Sequence, residues 1–227
     1  MPEFMIDFNV KQPMYAQIRE ELDPKGVSLV AVSKTKPHSA ILEMYDKGQR
    51  IFGENRVQEL IEKYEALPKD IEWHMIGHLQ SKKVKKIIPF VHLIHGVDSL
   101  KLLEKINDEA QKIDRVVDVL IQFHIATEAS KFGFEAVDIP SIADKIPSLA
   151  HVRIRGVMGM ATFTDDEEQV SKEFKSLKQY FDQLKSHEQS EDYFDIVSMG
   201  MSGDYKLAVK EGSTMVRIGS LLFGKRT

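Results

Sequence analysis

The 227-residue chain contains no cysteine. Disulfide bonds, thiolate nucleophiles and cysteine-ligated zinc or iron–sulfur centres are therefore excluded, and the composition fits a reducing compartment. A charge excess is also missing. Lys plus Arg (31) against Asp plus Glu (35) leaves −4, whereas a dedicated nucleic-acid or acidic-membrane binder carries a basic surplus. No apolar run approaches the roughly 18 residues of a spanning helix. The opening MPEFMIDFNV, with Glu3 and Asp7, lacks the basic start and apolar stretch of a signal peptide. Nor is there a Gly/Pro/Ser-rich linker, a low-complexity tract or an internal repeat. The absences predict one cytoplasmic domain, and the remaining composition, 42% hydrophobic and 29% charged, is that of an ordinary globular protein.

What is present is an alternation of short apolar strands and longer amphipathic stretches. Tyr15, Ile18 and Leu22 mark a helix over 12–22. Strands are expected at 27–32, which is rich in β-branched residues, and at 50–55, 72–77, 92–97, 116–125, 152–159, 194–200 and 214–220. Helices are expected at 38–47, from Val57 to before Pro68, at 79–88, after a cap at Asp98 or Ser99, and around 135–146. Thr164-Asp-Asp-Glu167 has the form of a capping box opening a long helix with Val170, Phe174, Leu177, Phe181 and Leu184 on one face. A short helix is expected at 203–211. Eight strands interleaved with helices predict a (β/α)8 barrel with an extra N-terminal helix, the alternative being an open doubly wound sheet.

In a parallel barrel ligands sit at the C-terminal strand ends. Lys34 follows strand one directly, so core residues would wall its stem. Burial lowers a lysine's pKa and makes its amine nucleophilic towards aldehydes; the competing reading is a solvated loop lysine. Asn55, at the exit of strand two, either bonds a ligand or caps the next helix. Ser202 and Gly203 follow strand seven, and Gly219 and Ser220 follow strand eight, where barrels commonly bind phosphate through backbone amides. Arg217 either points into the barrel mouth or forms an internal salt bridge with a carboxylate.

Other signals carry less. Gly219 to Lys225 matches seven positions of a Walker A loop, but Arg226 replaces the Ser/Thr and Thr227 ends the chain. Gly200-Met-Ser202-Gly203-Asp204 departs from a nucleophile elbow at its fifth position. His74 and His78 have helical metal-ligand spacing but straddle a strand end outside any HExxH frame, so no metal site is expected from them. Lys82, Lys83, Lys85 and Lys86 read as a solvated face, with contact to an anionic partner as the alternative.

Six segments, in order, resemble the YggS/PROSC family of pyridoxal phosphate (PLP) homeostasis proteins: AVSKTKP (31–37), FGENRVQEL (52–60), WHMIGHLQSKKVK (73–85), HGVDS (95–99), GVMGMA (156–161) and MGMSGDYKLAVKEGSTMVRIGSLLFG (199–224). The resemblance implies a TIM barrel of PLP fold type III, similar to the N-terminal domain of alanine racemase but without its C-terminal β-domain, with residues 1–227 as one PLP-binding domain. It implies that Lys34 holds PLP as a Schiff base, with Lys36 as a secondary lysine. Ser202, Gly219 and Ser220 would hold the phosphate, Arg217 would face the pyridine nitrogen, and Asn55 would lie near the cofactor. After strand five many members read close to VNxSGEExKxG, whereas this chain reads QFHIATEASKFGF (122–134); Lys131 and Gly133 remain, and Phe123-His124-Ile125 replace the small polar start.

The function so implied is that of a monomeric cytoplasmic protein that binds PLP and buffers or delivers it, with apo-PLP enzymes as transient acceptors and no turnover. Neither nucleic acid nor membrane is an expected partner. The alternatives are an amino-acid racemase or related fold-type III enzyme, and a barrel aldolase using Lys34 without PLP.

Overall fold

A computed structural model describes residues 11–127, 132–187 and 193–224. Glu3, Asp7, Lys131, Lys225, Arg226 and Thr227 lie outside them. Eight strands form, β1 (Ser28–Val32), β2 (Ile51–Glu54), β3 (Glu72–Met75), β4 (Leu93–Val97), β5 (Val117–Gln122), β6 (Val152–Met158), β7 (Ile196–Ser198) and β8 (Met215–Ile218). They pair in chain order, all parallel, and β8 closes on β1 with Ser28 opposite Met215. The sheet is thus a closed barrel and not the open doubly wound alternative.

Strand alternation separates two apolar layers. Val30, Leu93, Leu120, Met158, Ile196 and Met215, drawn from six strands, pack together inside the barrel. Their neighbours Leu29, Ala31, Ile94, Val119, Ile121, Val157, Val197 and Val216 belong to the larger cluster between sheet and helices. That second layer is completed by α1 (Lys11–Leu22), α2 (His38–Asp46), α3 (Val57–Ala66), α4 (Val84–Ile87), α5 (Leu100–Gln111), α6 (Ile139–Lys145), α7 (Glu167–Lys185), α8 (Tyr205–Lys210) and α9 (Ser220–Phe223). The α7 stripe from Val170 to Leu184 is buried as its spacing predicts. Burying each such side chain is worth about 1.5–3 kcal/mol. α1 is the helix added before the barrel; it buries Tyr15, Ile18 and Leu22 and packs against β1 and α9.

Three local features differ from the sequence reading, and one alternative it left open is resolved. Over 79–88 the chain makes a 3-10 turn (Ser81–Lys83) and only a four-residue α-helix, which still buries Leu79, Val84, Ile87 and Ile88. β5 stops at Gln122 because the following loop folds back: Phe134 N–H donates to the Gln122 carbonyl at 2.8 Å, and the Phe134 carbonyl accepts from His124 N–H at 3.0 Å. α7 is capped by Asp166, whose carboxylate accepts from the amides of Glu168 and Gln169 at 3.0 and 3.1 Å, while Thr164 Oγ1 accepts only from Asp166 N–H. Of the two residues offered as the α5 cap, Ser99 fills the role, accepting from Leu102 N–H at 3.3 Å.

Candidate functional site

The C-terminal strand ends open into a cavity of about 700 Å³. Lys34, Asn55, Ser202, Arg217, Gly219 and Ser220 all line it, as does Lys36. These residues come from the exits of β1, β2, β7 and β8, so only barrel closure brings them together. Three cationic side chains, Lys34, Lys36 and Arg217, face two carboxylates, Asp165 and Asp204. Burial pushes the Asp204 carboxyl up, opposed by its bond from Met201 N–H and by Arg217. The balance favours an anionic ligand.

Lys34 sits half-buried in a tight turn whose next residue, Thr35, has φ +64°. A β-branched residue in the left-handed region is strained by about 1–3 kcal/mol and persists only where its surroundings hold it. Those surroundings are a buried polar cluster. Lys63 Nζ donates to the Ser33 carbonyl (2.8 Å), to Glu54 Oε1 (2.7 Å) and to Glu59 Oε1 (2.7 Å). Ser33 Oγ donates to Glu54 Oε1 at 2.6 Å, and Thr35 N–H donates to Glu59 Oε1 at 2.6 Å. The residues on both sides of Lys34 are therefore pinned to α3. Burial pushes the Glu54 carboxyl up, with Lys63 and Ser33 opposing, and its Oε2 is buried without a partner.

Ser202 Oγ accepts from Gly219 N–H at 3.3 Å, joining the loops after β7 and β8. A Cβ on Gly219 would stand 3.2 Å from the Val32 carbonyl oxygen, so a side chain there would crowd the β1 exit. Ser220 opens α9, whose first amides have no partner within the helix. Asn55 does not cap α3: the cap position is Arg56, without a side-chain bond, and Asn55 is left to the cavity wall.

Arg217 is buried, and its acceptors are not carboxylates. Nη1 donates to the Ser198 carbonyl (2.9 Å) and Ser198 Oγ (2.7 Å), and Nη2 to the Gly159 carbonyl (3.1 Å). Desolvation, offset by Asp204, pushes its pKa down to about 10, which leaves it charged at neutral pH. Behind it runs a chain of buried groups. Ser198 Oγ lies 3.0 Å from His95 Nδ1, and His95 Nε2 lies 3.0 Å from His74 Nδ1. β4 and β7 are not neighbours in the sheet, so the His95–Ser198 contact crosses the barrel interior. Burial holds both imidazoles well below the usual histidine range, hence neutral.

Sequence reasoning missed this chain. Its signal was period-two placement: His74 alternates with Trp73 and Met75, and His95 with Ile94, so both face inward. The four-residue spacing pairs His74 with His78 instead. His78 projects elsewhere, 2.8 Å from Asp98 Oδ2 and against Phe132. Lys82, Lys85 and Lys86 are exposed and Lys83 half-buried, a solvated face as the charge pattern suggests.

Residues 12–227 match the model of the alanine racemase N-terminal domain family. The pyridoxal phosphate homeostasis protein of Aquifex aeolicus is 40% identical over 203 residues, 87% of this chain and 86% of that protein. Its counterpart in Haemophilus influenzae is 38% identical over 221 residues, 96% and 93% of the two chains. Among solved structures, PipY of Synechococcus elongatus without PLP superposes with a TM-score of 0.88 at 36% identity, covering 93% of this chain and 99% of PipY; PipY with PLP bound gives 0.84. Alanine racemase of Clostridium difficile shares the fold at 17% identity and a TM-score of 0.77, over 95% of this chain and 56% of the racemase. The chain belongs to the alanine racemase N-terminal domain family and, within it, to the YggS/PROSC group of pyridoxal phosphate homeostasis proteins. Among the described residues, no helix is long and apolar enough to cross a membrane.

Proposed function

We propose that residues 1–227 act as one PLP-binding domain that holds PLP on Lys34 and passes it on. The observation that carries this reading is the convergence of two amines, a buried guanidinium, a hydroxyl and helix-start amides on one cavity, in a chain whose relatives are named for PLP homeostasis. That donor set fits a ligand carrying both an aldehyde and a phosphate. The Lys34 amine condenses with the aldehyde to a Schiff base, forming a C=N bond and releasing water. Lys36, at 3.3 Å from the Gly224 carbonyl, is the second amine at the mouth. Ser202, Gly219 and Ser220 would hold the phosphate, and Asn55 would flank the cofactor. Arg217 faces the pyridine nitrogen.

When bound, PLP supplies an electron sink only if its ring nitrogen is protonated, which a carboxylate partner favours. A cation in that place disfavours the pyridinium. Arg217, fixed by Ser198 and Gly159, therefore suits a protein that stores and hands over PLP rather than one that stabilises carbanions.

The second reading is an amino-acid racemase, which needs a base on each face of the bound amino acid. Among the described residues lining the cavity there is no tyrosine or histidine to oppose Lys34. The carrier reading thus expects a monomer, cytoplasmic and with apo-PLP enzymes as transient acceptors, that restores activity to an added apo-PLP enzyme and leaves D- and L-amino acids uninterconverted. Robust racemase turnover by the PLP-loaded protein contradicts it.

A further inference from the structure

The opposite mouth of the barrel has chemistry of its own. The N-terminal strand ends surround a second cavity, of about 340 Å³. Three ligand-type side chains meet there. Glu72 and His74 lie two apart on β3 and so share a face. His92 is brought beside them because its N–H donates to the Trp73 carbonyl at 2.8 Å, setting Leu93 opposite His74. The ligating atoms of Glu72, His74 and His92 all lie within 4.8 Å of one another. His92 Nε2 is already 3.5 Å from Glu72 Oε2.

The observation that points to a ligand is the state of His74. It is 1% exposed, its Nδ1 is engaged by His95, and its Nε2 is buried without any partner. The two nitrogens of an imidazole diverge, so the ring that turns Nδ1 up the barrel towards His95 turns Nε2 down towards the cavity it lines. A buried polar atom without a partner is costly and rare. The surrounding charge suits a cation: the carboxylates Glu72, Asp118 and Asp195 line the cavity against two guanidiniums, Arg155 in its wall and Arg153 beside Asp118, and Arg155 engages Asp195 at 3.0 Å. Asp118 is not itself available, being bonded by Arg153 (2.7 Å) and by Arg155 (2.9 Å).

We propose that Glu72, His74 and His92 form a divalent-metal site of the zinc class at the N-terminal mouth. Two imidazoles and one carboxylate are a three-ligand set that zinc takes with a fourth, open position, here facing the cavity. Bonds of about 2.0–2.1 Å draw tetrahedral ligand atoms to about 3.4 Å apart. Glu72 and His92 have side chains 42% and 50% exposed, so rotation of these two supplies the movement while His74 stays fixed. The engaged Nδ1 of His74 is the second-shell bond that metal-ligating histidines regularly make. Ligation through Nε2 places the His74 proton on Nδ1, donating to His95.

The test is a titration of tag-free, chelator-stripped full-length protein with Zn2+ by calorimetry and with Co2+ by visible absorption. One equivalent is expected, with the intense visible bands of tetrahedral Co2+. The single variants His92→Ala and Glu72→Gln, both at exposed side chains and checked by circular dichroism, are expected to weaken binding at least about 10-fold. Absence of stoichiometric binding overturns the proposal, as does binding that survives both variants unchanged.

Discussion

At Glu54 a carboxylate is held out of water beneath the Lys34 turn, one oxygen crowded with donors and the other with none. Burial raises its pKa above the ordinary 4.5. Between 4.5 and that higher value the folded chain keeps a proton that the unfolded chain has released. Stability therefore falls as pH rises through this window, by up to about 1.4 kcal/mol per pH unit, and stays lower above it. Glu54→Gln is expected to remove that slope. Denaturant melts of wild type and variant from pH 4 to 8 check it, and a difference between them independent of pH contradicts the assignment. Arg217 belongs to the same scale. Charge-assisted hydrogen bonds are worth about 1.5–3 kcal/mol, so Arg217→Ala is expected to weaken PLP binding about 10- to 100-fold while the far-ultraviolet circular dichroism stays native. Unchanged affinity would refute its contact with the cofactor.

Among the elements, β6 has a geometry that turns on a single residue. Its register against β5 shifts between Val119 and Leu120, and Gly156 takes φ +146° at the irregularity. A Cβ there would stand 1.9 Å from the Ile196 carbonyl oxygen. Gly156→Ala is expected to cost about 1–3 kcal/mol from backbone strain alone, with the clash against β7 added, read as a lowered denaturant midpoint. The strands and long helices were legible in the sequence because their apolar periods match the layers they fill: Val170 to Leu184 on α7 is the clearest case. Helix ends were less so. Thr164 and Asp166 both offer a capping oxygen, and only the chain path decides between them. The polar interior of the barrel was hidden for another reason. Alternation along β3 and β4 marks His74 and His95 as inward-facing but does not say what they meet across the barrel, and the His95–Ser198 contact joins residues 103 apart in sequence.

For the whole molecule, closure of the barrel is what turns scattered residues into a cavity. Lys34 and Gly219 are far apart in the chain, and the pairing of β1 with β8 makes their strand exits neighbours. Lys34, Lys36, Asn55, Ser202, Arg217, Gly219 and Ser220 were readable from strand-end logic, whereas the wall that Met160 to Asp165 add from the exit of β6 was not. Nor was the cavity's support: Lys63 and Glu59 lie on the helix between β2 and β3, and nothing in their spacing announces that they hold the Lys34 turn. The two mouths divide the chemistry, cationic at the C-terminal end and acidic at the other, with the buried histidines lying between.

On the proposed reading one amine, Lys34 Nζ, carries the cofactor. Borohydride reduction of the PLP-loaded protein, followed by peptide mass spectrometry, tests it most directly. A single reduced pyridoxyl adduct on Lys34 is expected, lost in Lys34→Ala. Full labelling of Lys36 or any other lysine in the variant, or no adduct in the wild type, would contradict it.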